Sequence, residues 1–261
     1  MTKDIQFITK TKELIDNLKS VCANYGLGND GNEFKIITQV FLYKYLNDKF
    51  LHEVKKEKKD LANADNVSQA LMDMSDDEYN MLLILLDANV PRLKPTHLIS
   101  SLFNRQNEAD FALLFDDTLR EISTDNADIF SVKSFSGAKD KLFDELSQYI
   151  SDSSQRNDFC RALINKLHEF SFEDMFSEKY DFFATIFEYL IKDYNSDSGG
   201  KYAEYYTPHA VARIMANILV PEPKKGVKCY DPSVGSGTLL MNLAHNLGEK
   251  NCTIYSEDIS Q

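Results

Sequence analysis

The sequence predicts an α-helical amino-terminal domain, residues 1–170, followed by the start of an α/β domain, residues 171–261. Three observations carry that division. Between residues 10 and 170 apolar side chains recur at helical spacing, and no convincing strand interrupts them. At 227–230 the pattern becomes a short apolar run that ends in Asp231, turns through Gly235, Ser236 and Gly237, and enters a helical run over 239–247. A second strand-like run, 252–255, follows that helix and ends in Glu257 and Asp258.

Composition sets the outer limits. At 261 residues with 43% hydrophobic content, the chain is long enough for one large or two ordinary domains with buried cores. Its net charge of −12 weighs against unaided binding to a nucleic-acid backbone, because that affinity comes mostly from Lys and Arg neutralising phosphates. Cys22, Cys160, Cys229 and Cys252 show no Cys-x-x-Cys spacing, and the five histidines never form a ligand-like pair, so neither a metal site nor a disulfide frame is expected. The longest apolar run, 81–86, is too short to cross a bilayer, and residues 1–6 carry no apolar signal core. A cytoplasmic protein with no membrane partner is the simplest expectation.

Taken in order, Leu14, Ile15, Leu18, Val21 and Cys22 mark a helix over 10–24, which a glycine-rich segment ends by residue 31. The strongest helix follows over 33–50, with Phe34, Ile37, Val40, Phe41, Tyr45 and Phe50 on more than one face, as a central helix requires. Its aromatics read as core rather than as a base-stacking platform. Residues 54–65 read as an exposed charged face, since Glu53, Glu57 and Asp60 interleave with the lysines. Further helices are expected over 76–86, over 96–103 with Thr96 as N-cap, and over 109–122, 138–150 and 157–170. Tyr180, Phe183, Ile186, Phe187, Leu190 and Ile191 give one more, closed by a polar loop.

The next segment runs Glu204-Tyr205-Tyr206-Thr207-Pro208-His209. Thr207 is expected as an N-cap and Pro208 at the first helical position, with Val211, Ile214, Met215 and Ile218 as the buried face. Downstream, the two glycines of the 235–237 loop let the backbone approach a ligand, the helix start offers unpaired N–H groups, and acids at the strand ends can accept a ligand's hydroxyl or amino protons.

The order of Glu204-Tyr205-Tyr206-Thr207-Pro208 before Asp231-Pro232-Ser233-Val234-Gly235-Ser236-Gly237 resembles that of S-adenosylmethionine-dependent N6-adenine DNA methyltransferases, in particular the modification subunits of type I restriction-modification systems. The helices over 41–50 and 183–191 are similar to that family's amino-terminal and catalytic-domain helices, so the resemblance covers almost the whole chain. It implies a Rossmann-like methyltransferase domain preceded by a helical domain, with S-adenosyl-L-methionine as cofactor. Glu204, Tyr205, Tyr206, Thr207, Pro208 and His209 would line the methionine end of the cofactor; Asp231, Gly235, Ser236, Gly237 and Thr238 would cradle the methionine moiety; Glu257 would accept the ribose hydroxyls. The chemistry agrees, because a sulfonium and an ammonium favour acids where a phosphate would want lysines. Val234 departs from the small residue or cysteine common there, which should alter loop packing more than binding.

The family's catalytic motif, Asn/Asp-Pro-Pro followed by Tyr or Phe, holds the flipped adenine. It occurs nowhere in this sequence, so no catalytic residue is assigned. The expectation is therefore an amino-terminal portion, inactive alone, of a subunit that methylates adenine N6 when intact. Without the family's fourth strand, the first strand would expose an unpaired edge. The implied partners are a specificity subunit, a second modification subunit, a restriction subunit and double-stranded DNA reached through the complex. A non-catalytic assembly module acting through the helical domain stays open as an alternative. So does a nicotinamide-dinucleotide site, although Leu240 stands where the third glycine of that fingerprint belongs.

Overall fold

The computed structural model describes residues 3–28, 31–64, 66–130, 141–173, 176, 207–222, 224–235 and 237–258. The chain divides into two compact units, Met1–Tyr180 and Asp181–Gln261. The helix expected over 180–191 lies outside the described residues, as do Glu204, Tyr205, Tyr206 and Ser236.

The first unit is built around α2 (Gly31–Glu57), which follows α1 (Lys3–Asn24). Glu33 in its first turn and Lys55 and Lys56 in its last complement the helix dipole. Ile36, Ile37, Val40, Phe41, Tyr43, Leu46, Phe50 and Val54 are all buried, so α2 is enclosed on several sides. The short helices α3 (Lys59–Ala62) and α4 (Val67–Met72) follow, then α5 (Asp76–Leu85), which Ser75 and Glu78 start with a reciprocal capping box. The unit continues with α6 (Ile99–Arg105), α7 (Phe111–Asp125), α8 (Ala127–Phe130) and α9 (Arg156–His168). Asn157 of α9 accepts the Ala112 N–H at 2.8 Å and donates to the Ala109 carbonyl at 2.6 Å, which ties α9 to the first turn of α7.

Buried polar groups lock α2 to distant parts of the chain. The Tyr43 hydroxyl donates to the His97 carbonyl at 2.6 Å, and its ring meets Phe115 edge-on with centroids 6.4 Å apart. Asp48 pairs with Lys44 at 3.0 Å and accepts the Phe172 N–H at 2.6 Å, while Asn47 accepts the Ile99 N–H at 2.9 Å. Phe172 is fully buried in this unit, so a boundary at residue 170 falls before the first unit's core is complete.

Two expectations here are corrected. Thr96 is not an N-cap: it lies inside a 3-10 turn, Pro95–His97, and α6 starts after Leu98. The helix expected over 138–150 is absent from its described part, 141–150, where only a 3-10 turn, Leu146–Tyr149, forms. There Asp116 accepts both the N–H and the hydroxyl of Ser147, at 3.1 and 2.5 Å, which pins the turn to α7. The lysine-rich stretch, which starts in the last turn of α2, is solvated and charge-paired: Lys56 pairs with Glu53, and the partly buried Lys55 with Glu173.

The second unit contains α10 (His209–Leu219), β1 (Val227–Asp231), α11 (Thr238–Leu247) and β2 (Cys252–Ser256). The strands pair in parallel, from Val227 opposite Cys252 to Asp231 opposite Ser256. Cys229, Leu240 and Leu247 form a small core, with Val220, Val227, Val234, Leu243 and Cys252 against it. Among the described residues β1 pairs on one edge only.

The expected buried face of α10 is also corrected. Val211, Ile214, Met215 and Ile218 are exposed, Ile218 by 73%, whereas Ala212 and Ala216 are buried. Alanines let α10 approach α11 closely, so the helix pair is sealed along its small-residue stripe and the bulky stripe faces away.

Candidate functional site

The parallel register places the ends of β1 and β2 side by side, so Asp231, the last residue of β1, and Glu257, just past β2, lie at the same edge of the sheet. Parallel sheets receive ligands at the carboxyl ends of their strands, where helix starts and loops converge. Backbone hydrogen bonds stitch the two ends together: the Glu257 N–H donates to the Asp231 carbonyl, and the Val234 N–H to the Glu257 carbonyl, both at 3.0 Å.

The loop between β1 and α11 is shaped by its glycines. Gly235 and Gly237 adopt φ of +51° and +76°, where a side chain strains the backbone. One carboxylate oxygen of Asp231 accepts the Ser233 N–H at 3.0 Å and starts the turn, and the Gly237 N–H donates to the Val234 carbonyl at 2.9 Å and closes it. Asp258 holds the loop from outside, accepting the Gly235 N–H at 2.6 Å. Gly237 then caps α11 without a side chain, which leaves the helix start to backbone N–H groups. Thr238 opens that helix.

Glu257 is exposed, and its Oε1 accepts the Tyr230 hydroxyl at 3.2 Å. Desolvation first, and then this bond, raise the Tyr230 phenol above its ordinary pKa. A carboxylate has about four acceptor positions, so one phenol leaves Glu257 able to take further hydroxyls.

The other predicted element lies at the start of α10. The expectation that Thr207 is its N-cap is corrected: Pro208 occupies that position, with φ −54° and ψ 133°, and its carbonyl accepts the N–H of Val211 and of Ala212. The ring fixes φ in a range that suits an extended cap, which moves the helix start one residue on. His209 is half-buried, and its Nδ1 lies 2.9 Å from the Asn242 side-chain amide nitrogen on α11. The Thr207-Pro208-His209 turn is thereby joined to the helix that follows the glycine loop.

Of the predicted residues, the structure brings Asp231, Gly235, Gly237, Thr238 and Glu257 to one sheet edge and links His209 to α11; Glu204, Tyr205, Tyr206 and Ser236 lie outside the description. Tyr230, Asp258 and Asn242 are additional. Asp258 directly follows Glu257, and Asn242 lies one helical turn after Thr238, so spacing carried a signal for both.

The strand ends carry Asp231, Glu257 and Asp258, and residues 231–238 hold no lysine or arginine. That edge attracts cationic groups and repels phosphates. Among the described residues no cluster of three or more His, Cys, Asp or Glu suits a metal ion, and no helix is long and apolar enough to cross a membrane.

Residues 178–261 match the N-6 DNA methylase family. The chain is 25% identical over 239 residues to the methylase subunit of the type I restriction enzyme MpnII of Mycoplasma pneumoniae, covering 87% of this chain and 43% of that protein. It is 39% identical over 80 residues to the methylase subunit of the type I restriction enzyme EcoEI of Escherichia coli, covering 31% of this chain and 15% of that one. Its fold is similar to that of the crystal structure of a type I restriction-modification methyltransferase subunit from Streptococcus thermophilus, with a TM-score of 0.68 and 22% identity, over 96% of this chain and 53% of that structure. The chain is thus related to the methylase subunits of type I restriction enzymes, and it spans less than half the length of the curated relatives it matches.

Proposed function

We propose that this chain is the cofactor-binding portion of a type I restriction-modification DNA methyltransferase subunit, that it binds S-adenosyl-L-methionine in a Rossmann-like site, and that the whole subunit methylates adenine N6 in DNA. The observation that carries this reading is the pair of carboxylates at adjacent parallel strand ends, either side of a loop with two glycines at positive φ. These residues fit the cofactor. Its sulfonium and ammonium suit Asp231 and its neighbours, and the exposed Glu257 carboxylate suits a ribose diol.

In this reading Asp231 and the 235–238 backbone bind the methionine moiety, Glu257 orients the ribose, and the Thr207-Pro208-His209 turn closes the methionine end. When bound, the cofactor supplies an activated methyl group. Tyr230 steadies Glu257 and Asp258 steadies Gly235, so the binding surface is held in shape before any ligand arrives. The sequence contains no Asn/Asp-Pro-Pro motif to hold an adenine, so the chain alone binds without transferring. Its net charge of −12 suits a subunit that reaches double-stranded DNA through a specificity subunit, beside a second modification subunit and a restriction subunit, in the cytoplasm.

Calorimetric titration with S-adenosylmethionine, and separately with a nicotinamide dinucleotide, tests the reading. Binding of the first alone, lost in Asp231→Ala and Glu257→Ala, is the expected result. Binding of the dinucleotide would replace the reading, and no binding by a folded chain would favour an assembly module.

A further inference from the structure

Among the described residues of the first unit, the large apolar side chains left in solvent are Met72, Met81, Ile84, Leu85 and Leu113. All but Leu113 lie within residues 72–85, so the exposure is gathered at one place rather than scattered. In α5, Met81, Ile84 and Leu85 follow each other at i, i+3 and i+4 and share one face, exposed by 63%, 76% and 62%.

The opposite side of α5 holds the helix in place. Leu82 is buried, the Tyr79 hydroxyl donates to the Leu93 carbonyl, and the capping box of Ser75 and Glu78 fixes the first turn. The helix is thus anchored along one side and presents a preformed apolar stripe along the other.

Charge narrows what can cover that stripe. Residues 66–91 contain Asp73, Asp76, Asp77, Glu78 and Asp87 and no lysine or arginine, and all five acids are exposed. Two of them feel a nearby cation: Lys58 acts on Glu78, and Lys56 lies in the field of Asp87 while pairing with Glu53 at 3.2 Å. Asp73 accepts the Gln69 side-chain amide at 2.8 Å. Asp76 and Asp77 stand in the first turn of α5, on its exposed half, next to the stripe. A second copy seated on this face would set acids against acids, on a chain whose net charge is already −12. A nucleic acid or an anionic membrane would be repelled in the same way. A partner that brings apolar side chains together with cations gains from both features.

We infer that the exposed face of α5 is a docking surface for a basic amphipathic helix of a partner protein, whose apolar side chains cover Met81, Ile84 and Leu85 and whose lysines or arginines meet Asp76 and Asp77. The contact follows the helix-on-helix mode of recognition, read at i, i+3 and i+4. It goes beyond the cofactor reading and does not rest on it, because every residue involved belongs to the helical unit.

Fluorescence anisotropy of a stapled synthetic helix, titrated with the full chain, tests the inference. The probe carries a leucine stripe flanked by lysines, and the control carries the same leucines flanked by glutamates. The lysine helix should bind at least about tenfold more tightly than the glutamate helix, with the difference shrinking as salt is raised. Combined Met81→Gln and Ile84→Gln substitution, which removes apolar surface without changing charge, should weaken the lysine helix about tenfold. Combined Asp76→Asn and Asp77→Asn substitution should weaken it about threefold and flatten the salt dependence. Thermal unfolding of both variants should match the wild type, since the replaced side chains are exposed.

Equal affinity for the two helices, no binding of the lysine helix by the folded wild-type chain, or full affinity in the Met81→Gln, Ile84→Gln variant overturns the inference. So does sedimentation that shows a wild-type dimer converted to monomer by that variant, because the face would then belong to a second copy. Loss of S-adenosylmethionine binding with the helix still captured would overturn the proposed function and leave this surface standing.

Discussion

Among the described residues, the helical unit fully encloses seven aromatic side chains, whereas the second unit leaves many of its large apolar side chains in solvent. Phe41, Tyr43, Phe50, Phe111, Phe115, Phe159 and Phe172 are all enclosed in the first, around a buried Lys44–Asp48 pair. Among the described residues of the second, Cys229, Leu240 and Leu247 with flanking aliphatics form a core cluster, while Ile214, Ile218, Leu219 and Tyr230 are exposed. Core burial stabilises by about 1.5–3 kcal/mol for each large apolar side chain, so the enclosed aromatics are a main source of the first unit's stability. Among the described residues of the second unit, side-chain hydrogen bonds hold the strand ends and the α10–α11 pair. One unit is built for its own stability, and the other for the shape of a loop.

The comparison is tested most strongly inside the helical core. Phe115→Ala should cost about 3–5 kcal/mol, the range for a buried aromatic, and collapse the α2–α7 packing, read by denaturant unfolding. Asp48→Ala should cost a similar amount, about 3–5 kcal/mol, because it strands Lys44 inside the unit and removes the acceptor for the Phe172 N–H. An effect on the second unit's amide protection as large as on the first would break the distinction.

In the second unit the largest single effect should come from backbone strain. Gly237→Ala forces a side chain into φ +76° and should cost about 1–2 kcal/mol, with the loss confined to residues 231–247 in hydrogen exchange. The mutation should weaken cofactor binding more than global stability.

A pH effect on stability is expected in the helical unit. His97 is buried, and desolvation is the main cause that lowers its pKa below the ordinary value of 6.5, against the opposing bond to Glu121. The unfolded chain takes up a proton as pH falls through that ordinary value, while the folded one does so only at lower pH. Stability from the neutral ring is therefore present above the ordinary value and drains away as pH falls towards the folded one. Unfolding midpoints measured across that window should fall with pH, and His97→Gln should flatten the slope.

The smallest effect is expected at the exposed stripe of α10. Ile218→Glu should change stability by less than about 0.5 kcal/mol in thermal unfolding, because the side chain is 73% exposed. A loss of several times that size would mean that this face is covered in solution.

Much of the helical unit was readable in the sequence, since α1, α2, α5, α7 and α9 each follow a run of apolar residues at helical spacing. The short strands were readable because Asp231 and Glu257 each end an apolar run. Periodicity failed where it had to choose a partner. In α10 it correctly showed a bulky stripe, but the seam with α11 uses the alanines instead, and an apolar stripe alone does not say what it packs against. It failed at 141–150 because a tertiary bond, Asp116 to Ser147, draws that segment into a 3-10 turn. The capping assignment at Thr207 missed by one residue because Pro208 supports an extended cap as readily as a first helical turn. Nothing in the sequence pattern marks Asn242 as a partner of His209, since the two meet only once α10 and α11 are packed.

We propose that the second unit's strand-end loop is the ligand site and that the helical unit is stable on its own. Hydrogen exchange followed by mass spectrometry, with and without S-adenosylmethionine, tests it most directly. The account predicts added protection in peptides spanning 207–209, 231–238 and 255–258, with residues 31–57 unchanged. Protection appearing in α2, or none at the strand-end loop under conditions where the cofactor binds, would contradict it.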